Sequence, residues 1–204
     1  MILLLYFTAF RGEANGQVYY TKNGNISFFS KTILENIDAA NNQVISVINF
    51  QTGSIQFSLL NNAFHFPKAK MEEDFNENYI ESDKYPRSTF KGTISDISNI
   101  DLTKDGAYKV NVNGELGIHG VTKNISVPAM IIIKNGNLSA TSVFDILVRD
   151  YHISVPSIVT NKIGESIEVR INCTYEKKWI IIKFNNSAPT KTSIPGFYFF
   201  SYFN

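Results

Sequence analysis

Cysteine, tryptophan and histidine are scarce in this chain, with one, one and three copies among 204 residues. Because Cys173 has no second cysteine to pair with, an internal disulfide is excluded, and we expect a buried thiol in a fold held by its core. Neither sign of charge is in excess, since 19 basic residues stand against 18 acidic ones and form no basic stripe. Nucleic acid and an anionic membrane surface are therefore not predicted as partners.

The local motifs of common enzyme and cofactor sites are also missing from the sequence. His65, His119 and His152 are far apart, and none has a second ligand at HxxxH or CxxC spacing. There is no GxSxG nucleophile motif and no glycine-rich phosphate loop. We therefore expect no metal, no other cofactor and no catalytic site.

The apolar run at the amino end, Met1 to Phe10, has the length of the hydrophobic part of a signal peptide. It is far short of the roughly 20 residues of a transmembrane helix. Ala14 and Gly16 supply small residues for cleavage before Gln17, so residues 1–16 are predicted to be a signal peptide, truncated at its start because no basic segment precedes the run. The expected location is periplasmic or secreted. A buried amino-terminal strand is the alternative.

The carboxyl end has a different composition from the rest of the chain. A strand-like run, "KKWIIIKF", is followed by "NNSAPTKTSIPGFYFFSYFN", which is polar, then strongly aromatic, and has no acidic residue. We expect residues 17–176 to form one domain and residues 177–204 to be an atypical tail, either poorly ordered or packed as an extra strand.

Between the two ends, short strand-like runs alternate with turn signals. Phenylalanine, tyrosine and β-branched residues are abundant, which suits half-buried strands. Asn135-Gly136 is a strong hairpin signal because both positions accept positive φ. About eight strands with short turns predict an all-β, antiparallel meander closed into a barrel, since closure removes exposed edges. The runs are "QVISVINF", "SIQFSLL", "STFKGTISDI", "AYKVNVNGELGI", "VPAMIIIK", "NLSATSVFDIL" and "SIEVRINCTY".

One segment has helical rather than strand periodicity. Met71, Phe75 and Tyr79 recur at helical spacing, after Pro67 and before a stop at Tyr85-Pro86. A short amphipathic helix over Met71 to Asp83 is predicted, with its acidic residues Glu72, Glu73, Asp74 and Glu77 on or near the solvated face. Its apolar face plugs one end of the barrel or also forms the lid of a ligand cavity.

Alternation along three runs assigns side chains to common strand faces. A barrel of about eight strands has an interior that side chains either fill or line around one small ligand. The sequence leaves open which faces point inward. The shared faces hold Ile55, Phe57 and Leu59, then Tyr108, Val110 and Val112, then Phe144 and Ile146 opposite Val143 and Asp145.

Four segments resemble the YceI-like family, in particular its Bacteroidetes-type members. They are "FHFPKAKMEEDFNENYIESDKYPRSTFKG", "DGAYKVNVNGELGIHGVTKNISVP" and "FDILVRDYHISVPSI" with "IGESIEVRINCTY", and the most specific piece is Gly117 to Lys123. The resemblance spans Gln17 to about Glu176. The chain after Glu176 has no counterpart in it, and Arg149 and His152 stand at variable positions.

The resemblance implies an extended lipocalin-like antiparallel barrel, exported to the periplasm, with a long apolar cavity for a polyisoprenoid chain such as a quinone tail. It implies no catalysis, and the sequence leaves homodimerisation open. His119 is then a wall or turn residue whose ring nitrogens are satisfied by neighbours such as Thr122, or a polar contact for a ligand head group. The candidate cavity residues are Ile55, Phe57, Leu59, Phe66, Met71, Phe75, Tyr79, Phe90, Tyr108, Val110, Val112, His119, Phe144 and Ile146.

Two other functions compete with lipid binding. A barrel filled by its own side chains could act through its surface, as a structural or stress-protective protein. An enzyme acting on a lipid would need a polar cluster inside the cavity, such as His119 with Arg149 or Asp145.

Overall fold

Eight antiparallel strands form a closed barrel in the computed structural model, which describes residues 17–30, 36–153 and 166–178. Each strand pairs with the next along the chain, and the last pairs with the first. The predicted all-β, lipocalin-like barrel is confirmed. The strands are β1 (Val18–Ser30), β2 (Ile37–Asn49), β3 (Ser54–Leu60), β4 (Arg87–Ile94), β5 (Gly106–Ile118), β6 (Val121–Lys134), β7 (Asn137–Leu147) and β8 (Ser166–Lys177).

Two-residue turns join β5 to β6 and β6 to β7. Asn135 and Gly136 both have positive φ, 51° and 76°, as the hairpin prediction for this dipeptide requires. His119 and Gly120 form the other tight turn, with φ values of 51° and 74° between the paired residues Ile118 and Val121. A histidine tolerates this left-handed conformation better than a β-branched residue does.

The up-and-down order gives the barrel two different ends. The carboxyl ends of β1, β3, β5 and β7 lie at one end, here called the cavity end, and those of β2, β4, β6 and β8 lie at the other, the filled end. At the filled end, inward side chains pack into a continuous core. This core includes Ile48, Phe50, Ile94, Ile133, Leu138 and Tyr175.

Cys173 lies in the core of the filled end and is fully buried, as expected for the single cysteine. Burial raises the pKa of its thiol to about 11, so the thiol stays protonated at neutral pH and acts as a small apolar packing group. The hydroxyls of Ser46 and Tyr175 are hydrogen-bonded to each other at 2.8 Å, so this core buries a polar pair that is satisfied internally.

The predicted helix is present but shorter than expected. Helix α1 (Ala69–Asp74) continues directly into a π-helical turn, Phe75–Tyr79. The amide of Ile80 donates to the carbonyl of Phe75, and Glu81 then adopts a φ of 46°, which ends the right-handed path before Asp83. No helix in the described ranges is long and apolar enough to span a bilayer. The predicted signal peptide and all but the first two residues of the predicted tail lie outside the described residues.

Candidate functional site

An elongated apolar cavity occupies the barrel interior at the cavity end. Its volume is about 550 Å³, within the range of roughly 300–1,000 Å³ typical of small-molecule sites. All eight strands contribute inward-facing side chains to it, and the helix with its π-helical turn covers it. The barrel is therefore not filled along its whole length.

The structure places most of the predicted cavity residues on the cavity wall. The strand faces inferred from alternation point inward in β3 and β7, where Val143 on the opposite face is 53% exposed. The predicted residues that line the cavity are Ile55, Phe57, Leu59, Phe66, Met71, Phe75, Tyr79, Phe90, Val112, Phe144 and Ile146.

Tyr108 and Val110 are on the predicted inward face of β5 but outside the cavity. β5 is 13 residues long, and these two side chains lie toward the filled end, where they pack with the core. The Tyr108 hydroxyl donates to the carbonyl of Asp101 in the connection from β4. Alternation assigns the face of a side chain but not its height along the barrel axis.

Sequence reasoning missed the contributions of the first and last strands. Ile26 and Phe28 of β1, and Ile167, Val169 and Ile171 of β8, also line the cavity. The alternation that would have found them is present in "NISFF" and "SIEVRI", where every second residue is apolar.

The cavity ends at a layer of side chains that we call the floor. These residues line the cavity on one side and belong to the core of the filled end on the other. The floor is apolar throughout, so a ligand that reaches it meets no hydrogen-bonding side chain from these residues. The floor residues are Ile55, Phe90, Val112, Val127, Ile131 and Ala140.

The helix α1 and the π-helical turn that follows it form a cap over the cavity, and an aromatic cluster holds this cap in place. Phe75, in the π-helical turn, packs against Phe28, Phe64 and Phe66, with ring centroids 5.6, 5.7 and 5.1 Å away. Aromatic pairs at such distances add about 0.5–1.5 kcal/mol each beyond the area that they bury. Met71 and Tyr79, one turn to either side of Phe75, also line the cavity, so this face of the segment forms both the plug and the lid.

Polar side chains anchor the cap at its edge. A carboxylate oxygen of Glu72 accepts from the backbone amide of Phe66 at 3.1 Å, so this half-buried residue fixes the start of the segment and is not simply on a solvated face. Lys70 and Asp74 pair at 2.9 Å beside the cavity opening. The hydrogen bonds that the Lys70 ammonium donates to Asp74 and then to Glu73 raise the pKa of Lys70.

His119 does not line the cavity; its side chain contacts Glu81 and Tyr85 in the segment that follows the cap. Its Nδ1 donates to the carbonyl of Tyr151 at 3.1 Å, and its Nε2 lies 2.7 Å from a carboxylate oxygen of Glu81. The ring of Tyr85 packs against the imidazole at a centroid distance of 4.4 Å. The expected partner Thr122 is not involved; the actual partners lie 32 and 38 residues away in sequence.

We expect His119→Asn to destabilise the barrel by about 2 kcal/mol, because one buried hydrogen bond, one partly buried hydrogen bond and a ring contact are lost. In a domain of this size that corresponds to a fall in melting temperature of roughly 4–8 °C. His152→Asn is the matched control, since His152 has nearly the same φ, 53°, but is exposed. Thermal unfolding followed by circular dichroism measures both, and equal melting temperatures would show that the contacts of His119 contribute nothing.

Comparison with known families identifies the barrel. The family profile of the YceI-like domain matches residues 14–175. The chain belongs to the YceI-like family. The resemblance noted in the sequence motifs is thereby confirmed over nearly the same range. A sequence comparison with curated proteins finds no match.

Solved structures share the fold of this YceI-like chain at low sequence identity. A polyisoprenoid binding domain from Saccharophagus degradans implicated in plant cell wall breakdown superposes with a TM-score of 0.70 at 14% identity, covering 80% of this chain and 99% of its own. BcnA of Burkholderia cenocepacia gives 0.64 at 17%, covering 75% and 96%. The YCEI protein of Campylobacter jejuni gives 0.57 at 17%, covering 72% and 90%.

Among the described residues, the polar cluster of His119 with Arg149 or Asp145 that an enzyme would need is not assembled in this YceI-like cavity. His119 lies outside the cavity, and Asp145 and Arg149 are exposed on the outer surface. The polar side chains that do line it are hydroxyls, amides and the charged groups at its opening.

Proposed function

We propose that this protein binds or carries an amphiphilic lipid, most simply a polyisoprenoid chain of the quinone type, in the barrel cavity, without catalysis. The observation that carries the proposal is the apolar cavity of about 550 Å³ inside a YceI-like barrel. The fold neighbour from Saccharophagus degradans is described as a polyisoprenoid binding domain, which supports the same ligand class here.

Binding of such a chain needs little chemical machinery. Each square ångström of apolar surface taken from water contributes roughly 25 cal/mol, so an apolar tail can bind tightly with one or two polar anchors. The head group of the lipid would remain at the opening, where Lys68, Lys70 and Asp74 lie at the edge of the cavity.

A carrier of this kind has a use where a prenyl lipid must cross water. We propose that the protein works in the periplasm or outside the cell, as the apolar run at Met1 to Phe10 suggests. One barrel encloses one cavity, so a single chain is sufficient for binding and a homodimer is not required by this function.

Native mass spectrometry tests the proposal directly. The full chain, exported into a bacterial periplasm and purified without detergent, is expected to carry a prenyl lipid in a stoichiometric amount, identified after organic extraction. The column flow-through, extracted in the same way, controls for lipid carried over. An empty protein that also fails to take up added prenyl quinones would overturn lipid binding and favour a barrel that acts through its surface.

A further inference from the structure

Two glycines face each other directly behind the floor residue Phe90. Gly92 on β4 and Gly114 on β5 are directly paired across the two strands. Glycine inside a strand weakens it unless another group needs the space that a side chain would take. Here the space is taken by Phe90, because a Cβ atom at either glycine would lie only 2.7 Å from Cζ of its ring.

The glycine pair fixes where the ring of Phe90 lies. β4 runs from Arg87 at the cavity end to Ile94 at the filled end, so Gly92 is nearer the filled end than Phe90 is. The ring leans that way over the bare backbone of both strands, is 8% exposed, and meets Phe57 edge-on at 6.4 Å between centroids. It thus forms a part of the floor beneath which each of these two strands places a glycine, and the next inward side chains toward the filled end are Ile94 and Val112.

We propose that Phe90, seated on Gly92 and Gly114, limits the length of the apolar chain that the cavity accepts. This inference rests on the proposed function and specifies its ligand. At about 30 Å³ per heavy atom, the share of a water molecule in the liquid, a cavity of about 550 Å³ holds a chain of roughly 18 carbons. The fully buried ligand is therefore a chain of three to four isoprene units, and longer polyprenyl chains extend beyond the cavity.

The space below the ring gives Phe90 this role in preference to other aromatic residues of the wall. Removing the ring opens a groove over two glycines, and neither can refill it with a side chain. The gain is on the order of a benzene-sized cavity, about 100–150 Å³, or nearly one isoprene unit. Phe144 is the matched control, because it lines the cavity wall on β7 but is not part of the floor.

Prenyl alcohols of two to eight isoprene units, titrated against the full chain by displacement of bound 1-aminoanthracene, test the proposal. In the wild type, affinity should rise at least about tenfold per unit up to four units and then change less than about threefold. Phe90→Ala should move this limit about one unit longer. Phe144→Ala should weaken all lengths that fit and leave the limit in place.

A second variant tests the same floor from another strand. Ala140→Leu adds volume at the floor on β7 and should move the limit to a shorter chain, which keeps the test decisive if Phe90→Ala fails to fold. If affinity in the wild type rises steadily to eight units, or if neither floor variant moves the limit, the role of the floor is wrong although lipid binding stands. If no prenyl alcohol displaces the probe at any length, the proposed function itself is wrong.

Discussion

Ala129→Trp is expected to weaken the binding of a prenyl chain about a hundredfold while the barrel stays folded. Ala129 is half-buried, lies on β6 between Val127 and Ile131, and faces the cavity. An indole there fills on the order of 100–150 Å³ of a cavity of about 550 Å³. The ligand then buries about four fewer carbons, each worth about 0.8 kcal/mol. Displacement of 1-aminoanthracene by geranylgeraniol measures the loss.

The matched control places the same side chain on the outside of the barrel. Val143 on the neighbouring strand β7 is 53% exposed, so Val143→Trp adds an indole without entering the cavity and should leave affinity within about threefold of the wild type. Equal affinity of Ala129→Trp and the wild type, in two proteins that melt alike, would mean that the lipid binds elsewhere.

The barrel could be predicted from the sequence because its strand pairing depends on residues that are close together in the chain. Each strand of an antiparallel meander pairs with its neighbour in the chain, so turn signals such as Asn135-Gly136 and the alternation of apolar residues determine most of the topology. The family motifs then specify the closed barrel, which alternation alone only favours. The same alternation placed Phe57 and Phe144 on shared strand faces without deciding which faces point inward, and the structure has both residues on the cavity wall.

The candidate site was less predictable because it depends on position along the barrel axis. Val110 and Val112 share a face of β5, yet only Val112 reaches the cavity. The height at which the core ends is decided by side chains from all strands together. His119 shows the same limit, since its partners Glu81 and Tyr151 come from connections far away in sequence.

The π-helical turn and the glycine pair are two further features that the periodicity analysis did not reach. Helical spacing of Met71, Phe75 and Tyr79 is compatible with a regular helix, and nothing in that spacing marks the change at Phe75. Gly92 and Gly114 did carry a signal, because an isolated glycine in a strand often marks a close approach of another group. Their partners across the sheet could not be read from that signal alone.

Gly114→Ala is expected to be among the most destabilising single-methyl changes in the barrel. A Cβ atom there would clash with the backbone oxygen of Lys91 and would lie 2.5 Å from Cα of Gly92. Both are main-chain atoms of the paired strand, so relief requires β4 and β5 to separate locally, and the ring of Phe90, whose Cζ would lie 2.7 Å away, must move as well. Overpacking of this kind costs about 3 kcal/mol, which lowers the melting temperature by roughly 6–12 °C in a domain of this size.

Gly117→Ala on the same strand is the control, and it isolates steric crowding from the change in backbone freedom. The nearest atom to a Cβ at Gly117 is the hydroxyl oxygen of Thr89 at 3.1 Å, which belongs to a side chain that can rotate away. Loss of the flexible glycine by itself favours the folded strand by about 0.5–1 kcal/mol, so this variant should melt within a few degrees of the wild type. If the two alanine variants have the same melting temperature, β4 and β5 do not approach each other as closely at Gly92 and Gly114 as the structure shows. The ring of Phe90 would then not be packed on these two glycines.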